Sequence, residues 1–253
     1  MVKALGSNDF TQYSVTASND PRLPNANQPV TGLFDQNAIV TPRNVVKDAS
    51  AYGAQLNHWD GFDVNMDARM RNGLYLQGGV SSGRTMTDNC AIASQVPEVL
   101  TVAGVTTPVS FCHQETPYQP LYKGLASYTF PWGIRVSGTL QSLPGPQVVA
   151  NTIYNNGNRT TTTTLSRPFT LGQANVQVVQ PGSFYGDRLN QIDLRFAKIL
   201  NVGRGKIDLN VDLYNAFNSD AVIAELGSFG PVWRLPLTVI QPRFVKFAVR
   251  YDF

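Results

Sequence analysis

The feature that most constrains this sequence is its last stretch, Val245 to Phe253, where apolar and polar residues alternate almost without a break. Period-2 alternation makes a two-faced strand. Val245, Phe247, Val249, Tyr251 and Phe253 fall on one side, and Lys246, Ala248, Arg250 and Asp252 on the other. A soluble protein seldom leaves such an aromatic strand uncovered, because the edge invites aggregation. A membrane β-barrel tolerates it, since lipid solvates one face and closure removes the edge.

The same alternation recurs upstream, and its parity decides the turns. Phe62, Val64, Met66, Ala68 and Met70 form one apolar set and Leu74, Leu76, Gly78 and Val80 the next. Met70 and Leu74 share a face only if the loop is Arg71-Asn72-Gly73, with glycine in the left-handed position. Gly124, Ala126, Tyr128 and Phe130 lead into Pro131-Trp132-Gly133, from which Ile134, Val136, Gly138 and Leu140 lead out in phase. Downstream, Ile192, Leu194 and Phe196 pair with Leu213, Val211, Leu209 and Ile207 if Gly203-Arg204 is the turn, and a leading glycine suits type II′.

Seven strands are therefore expected, near 58–70, 74–82, 121–130, 134–141, 188–199, 206–214 and 243–253. Three tight connections alternate with long ones near 83–120, 142–187 and 215–242. Short turns at one end and long loops at the other is the layout of an outer-membrane barrel. The expected fold class is all-β: an antiparallel transmembrane β-barrel segment, about 7–8 strands of a larger barrel, with long extracellular loops and short periplasmic turns. Residues 1–57 read as a loop-rich extracellular segment with a short strand near 10–17, and residues 58–253 as the barrel strands. Because bacterial single-chain barrels have even strand numbers, the odd number reads as a chain that begins mid-barrel.

Composition narrows the classes. Charged residues are 15% of the chain, net charge is +3 and no basic patch is evident, which argues against nucleic acid as a partner. No run of 18 apolar residues is present, so no transmembrane helix is expected. Cys90 and Cys112 lie in one polar segment and are expected to form a disulfide. Closing a loop of about 20 residues removes roughly 3 kcal/mol of unfolded-state entropy.

Chemistry-bearing motifs are weak. Gly79-Val80-Ser81-Ser82-Gly83 has the G-x-S-x-G form, but a nucleophile elbow needs a strand, a sharp turn and a helix, and here a polar loop follows. The two histidines, His58 and His113, lack metal-ligand spacing to each other or to the cysteines. No catalytic residue, metal or cofactor is expected. The polar sides of the strands carry Asp63, Asp67, Arg69, Arg135, Asp193, Arg195, Asp208, Asp212, Lys246 and Arg250, read as lumen-facing charges. Trp59, Tyr128, Phe130, Trp132, Tyr251 and Phe253 sit near strand ends and read as interfacial aromatic girdles.

In Asp20-Pro21-Arg22-Leu23-Pro24, Gly73-Leu74-Tyr75-Leu76-Gln77-Gly78-Gly79, Thr87-Asp88-Asn89-Cys90, Gln141-Ser142-Leu143-Pro144-Gly145-Pro146, Gly186-Asp187-Arg188-Leu189-Asn190-Gln191, Asp212-Leu213-Tyr214-Asn215-Ala216 and Gln241-Pro242-Arg243-Phe244 onward, the chain resembles a known family. These stretches are similar to the C-terminal part of TonB-dependent outer-membrane receptors, particularly the Oar-like group with a carboxypeptidase-regulatory-like domain. The family's barrel has about 22 strands and a plugged lumen. The resemblance implies energy-coupled uptake of a bulky nutrient. It implies as partners outer-membrane lipid, the remainder of the barrel and its plug, the TonB system acting through that plug, and the barrel-assembly machinery. Phe247, Val249, Tyr251 and Phe253 match the family's barrel-assembly signal. No plug and no TonB box is recognised, so no TonB-contacting residue is carried over. The rival reading is a soluble, secreted β-sandwich or adhesin-like binding module, which would bury Phe62, Val64, Leu76, Val136 and Val211 between two sheets.

Overall fold

The computed structural model describes residues 5–40 and 46–253, and among these the chain is all-β. Near the N-terminus β1 (Phe10–Thr16) and β2 (Pro29–Gln36) pair as an antiparallel hairpin. Seven longer strands build the main sheet: β3 (Leu56–Arg69), β4 (Leu74–Asp88), β8 (Leu121–Thr129), β9 (Ile134–Leu143), β12 (Leu189–Val202), β13 (Gly205–Tyr214) and β16 (Phe244–Asp252). They lie side by side in chain order, each antiparallel to the next. The short β7 (His113–Glu115) adds to the far end of β4. The sheet is open: among the described residues β3 pairs only with β4, and β16 only with β13. No helix among the described residues is long and apolar enough to cross a membrane.

The tight turns follow the parity argument. Met70 N donates to Leu74 O at 2.8 Å and Gly73 N to Met70 O at 3.2 Å, so three residues turn the chain and Gly73 takes φ +87°. Phe130 and Ile134 close the second turn in the same way, with Gly133 at φ +70°. Val202 pairs with Gly205 around Gly203-Arg204, and Gly203 has φ +61°, the first-position geometry of a type II′ turn.

The register then sorts the side chains into continuous rows. One row crosses six strands as Leu74, Tyr128, Val136, Phe196, Val211 and Phe247. The row nearest it on the other face reads Arg69, Tyr75, Ser127, Ser137, Arg195, Asp212 and Lys246. One face is apolar and the other is polar.

The apolar face is bare. Val64 is 60% exposed, Val211 38% and Phe247 78%, and Phe62 and Met66 are likewise open. A sandwich would cover Phe62, Val64 and Val211; no second sheet does so among the described residues, and Leu76 and Val136 are only half-buried.

The hydrophobic core lies elsewhere, in a cap at the end of the sheet opposite the tight turns. The segments expected to be loops supply it. They contain β5 (Thr101–Val102), β6 (Val105–Thr106), β10 (Asn151–Asn155), β11 (Gln173–Gln177), β14 (Val222–Glu225) and β15 (Pro236–Val239). In the cap β10, β11, β6 and β5 form a sheet, and β14 pairs with β15. Tyr13, Val15, Val30 and Leu33 of the N-terminal hairpin pack with Val148, Tyr154, Phe169, Val176, Val178 and Trp233. Tyr154 Oη donates to Thr16 O at 3.0 Å, Asn25 Nδ2 to Val178 O at 2.7 Å and Trp233 Nε1 to Val149 O at 2.8 Å. Within the stretch expected to be loop-rich, 1–57, β1 falls on the short strand expected near 10–17, β2 adds a second strand, and residues 46–55 carry the single turn Ala49–Ala51, while residues 1–4 and 41–45 lie outside the described residues. Pro, Asn and Thr punctuate these segments heavily, but the intervening Tyr13-x-Val15 and Val176-x-Val178 pairs are enough to make a shared core.

Candidate functional site on the polar face of the sheet

The ten charges assigned to the lumen share the polar face by register, and several meet. Arg195 Nε and Nη2 donate to Asp212 Oδ1 and Oδ2 at 2.5 and 2.9 Å, a bidentate pair across β12 and β13. Such charge-assisted forks are about twice as strong as neutral hydrogen bonds, which allows the Asp212 carboxylate to be buried. Lys246 stands opposite Asp212 on β16. Two residues before Arg195 and on the same face, Asp193 Oδ1 accepts from Gln191 Nε2 at 2.9 Å and from Asn215 N at 2.8 Å. Arg135 Nη2 lies 3.5 Å from Asp208 Oδ2. Tyr75 Oη donates to Asp67 Oδ2 at 2.8 Å while Arg69 stacks 5.2 Å from the Tyr75 ring centre. Arg250 bonds Asp252 Oδ1 at 2.9 Å on its own strand, and Asp63 stands apart, opposite Ser81.

Between these charges the wall is hollowed. One hollow of about 550 Å³ is lined by Asn65, Asp67, Gln77, Gly79, Ser81 and Lys123, and a second of about 370 Å³ by Thr139, Asp193, Arg195, Asp212 and Tyr214, with Leu125 common to both. Gly79 gives the Asn65 side chain its place in the lining of the first, since a β-carbon there would strike it. Carboxylates, a lysine, amides and hydroxyls side by side can hydrate and orient a polar solute. Among the described residues no group of three His, Cys, Asp or Glu is placed to hold a metal ion.

Three residues depart from the reading by position. Nearness to a strand end points Trp59 to an aromatic girdle, yet its odd number puts it on the polar face with Asp63. There its ring lies over Gly61 and Gly83, where an added β-carbon at either would collide with it. Lys198 is a charge on the apolar face, opposite Ile134 and Leu209. Its stem follows that face and its Nζ donates to Trp132 O at 2.7 Å, the behaviour of an amphipathic side chain at an apolar margin. Asn215 is buried at the exit of β13. Parity held the signal for the first two; for Asn215 only its tertiary partners reveal the role. Tyr128, Phe130, Trp132, Tyr251 and Phe253 cluster toward the tight-turn end, with the Tyr128 and Phe130 rings edge-to-face at 4.7 Å and those of Tyr251 and Phe253 tilted by 30° at 5.9 Å.

The G-x-S-x-G stretch runs straight through β4, without turn or helix. At the cap end of the sheet, Cys90 and Cys112 form the expected disulfide, with Cα atoms 4.8 Å apart. Asn89 N donates to Cys112 O at 3.2 Å and His113 Nδ1 lies 2.9 Å from Asp88 Oδ2, so the bridge staples the start and end of the loop beside β4. No protein-family model, curated protein or solved structure matches the chain.

Proposed function

We propose that the chain forms part of the wall of an outer-membrane β-barrel of the TonB-dependent receptor type, non-enzymatic and serving uptake of a bulky nutrient. The observation that carries this reading is the bare apolar face, continuous over seven strands and opposed by a charged face. Soluble proteins rarely expose apolar patches beyond a few hundred Å². On β3 the apolar set runs from Phe62 to Met70, nine residues, which is the lower end of the roughly 9–11 needed for a tilted crossing. Beyond Phe62 the same face turns polar at Asp60, with Arg84 opposite and His58 beyond. A membrane boundary at that level accounts for the change.

In lipid the unpaired backbone groups along the outer edges of β3 and β16 would each cost several kcal/mol. Further strands on both edges satisfy them and make a larger barrel, with the polar face and its two hollows toward the lumen. The cap then stands on the extracellular side, and Phe247, Val249, Tyr251 and Phe253 serve as the barrel-assembly signal. Cell fractionation tests the reading: the chain is expected in the outer-membrane fraction, resistant to urea wash, with a gel mobility that changes on heating. A freely soluble monomer would overturn it.

A further inference from the structure

We propose that the apolar face carries a site for one lipid with a net-negative phosphate headgroup, the headgroup at Arg188 and an acyl chain in the groove below it. The inference rests on the reading of this face as lipid-facing. The groove holds about 380 Å³, floored by Gly124 and Gly138 and walled by Met66, Leu76, Leu140 and Ile192. An added β-carbon at Gly124 would find its nearest neighbour, Leu140 Cβ, at 4.0 Å, so glycine leaves a gap in the side-chain layer there.

One row toward the cap, about 7 Å along the strands, Tyr122, Ser142 and Asn190 stand side by side. Arg188 leans over that row. Its guanidinium lies 5.4 Å from the Tyr122 ring centre, its Nε donates to Ser142 Oγ at 2.8 Å, and its Nη2 donates to Ser142 O at 3.1 Å and to Pro120 O. All of these partners are neutral. No carboxylate pairs with Arg188 among the described residues, whereas Arg84, at the cap end of the same face, is paired with Glu115. An unneutralised guanidinium, held rigid where an apolar groove ends, complements an anion with a hydrocarbon tail. The one-row step of about 7 Å from the Tyr122 row to the groove leaves room for the linker between a phosphate and its chains. Phosphate makes charge-assisted hydrogen bonds with arginine that a neutral headgroup does not.

The test uses the full chain in phosphatidylcholine vesicles containing a minor share of phosphatidylglycerol. The chain is re-extracted into detergent and the co-purifying lipid is counted by mass spectrometry. Phosphatidylglycerol is expected to be enriched over its share, and Arg188→Gln to lower that enrichment about fivefold, the effect of one basic residue near an anionic membrane surface. Arg188→Lys is expected to keep most of it. Gly124→Val, which the groove admits sterically, is expected to lower retained lipid while leaving vesicle insertion unchanged. Equal enrichment in the parent chain, Arg188→Gln and Gly124→Val would overturn the site, as would displacement of the lipid by millimolar inorganic phosphate. A chain that fails to float with pure phosphatidylcholine vesicles would instead overturn the membrane reading, and the site with it.

Discussion

Asn215 stands where β13 leaves the sheet, in a left-handed conformation with φ +47° and 2% exposure. Its side chain is fully used: Nδ2 donates to Ser219 O at 2.8 Å and to Gln241 O at 2.9 Å, and Oδ1 accepts from Ser219 N at 2.8 Å. Its own N–H goes to Asp193. One residue thus ties the two ends of the 215–242 connection to the charged wall. Asparagine tolerates the left-handed region better than most residues and carries both donor and acceptor. Asn215→Ala is expected to cost about 3 kcal/mol, because buried backbone groups lose their partners. Limited proteolysis within 215–242 should become faster while the main sheet persists. Unchanged cleavage would show that the backbone alone holds the connection.

At the scale of the strand, neighbouring positions should differ sharply in what they tolerate. Val249 and Ala248 are adjacent on β16, with Val249 at the middle of the apolar face and Ala248 opposite Asn210 on the polar one. In a membrane, arginine on the lipid side near mid-depth costs about 2–4 kcal/mol, whereas a lumen position accepts charge. Val249→Arg is therefore expected to lower stability in urea titrations of vesicle-inserted protein, and Ala248→Arg to leave it nearly unchanged. Equal effects would deny that the faces differ in solvent. The two-faced character of these strands was legible from alternation alone, down to the three-residue and two-residue turns. The same parity places Trp59 on the polar face, whereas nearness to a strand end says nothing about which face a side chain takes.

For the molecule as a whole, the structure divides stability between a sheet without a core of its own and a cap that has one. The cap joins segments far apart in the chain, from Tyr13 to Trp233. Its buried tyrosines make it sensitive to high pH. Burial raises the Tyr13 hydroxyl, with Asp35 and Tyr154 adding to the rise, and burial alone pushes Tyr154 up from 10.0 to about 12. Because the folded form holds these protons more tightly than the unfolded one, their contribution is complete below pH 10 and falls as pH rises through about 12. Near-ultraviolet circular dichroism is expected to show the cap losing its signal in that window, with tyrosinate absorbance rising together with it. Tyr154→Phe, which removes the titrating hydroxyl and its bond to Thr16, should move the transition upward. Tyrosinate that appears near pH 10 ahead of any structural change would show these hydroxyls to be open to water.

By itself the sequence determined the strands, their turns and the sorting of side chains into two faces, because period-2 patterning and turn parity act within a few residues of each other. The pairing of Cys90 with Cys112 was legible for the same reason, both lying in one segment. The cap was decided only in three dimensions. Its core is assembled from short apolar pairs scattered over more than one connection, and no local period marks residues whose partners lie some 150 positions away, as Ser14 and Thr164 do. The same holds for the Arg195–Asp212 fork, for Asn215 and for the uncompensated Arg188: sequence showed that charges existed, while register and packing decided which of them found a partner.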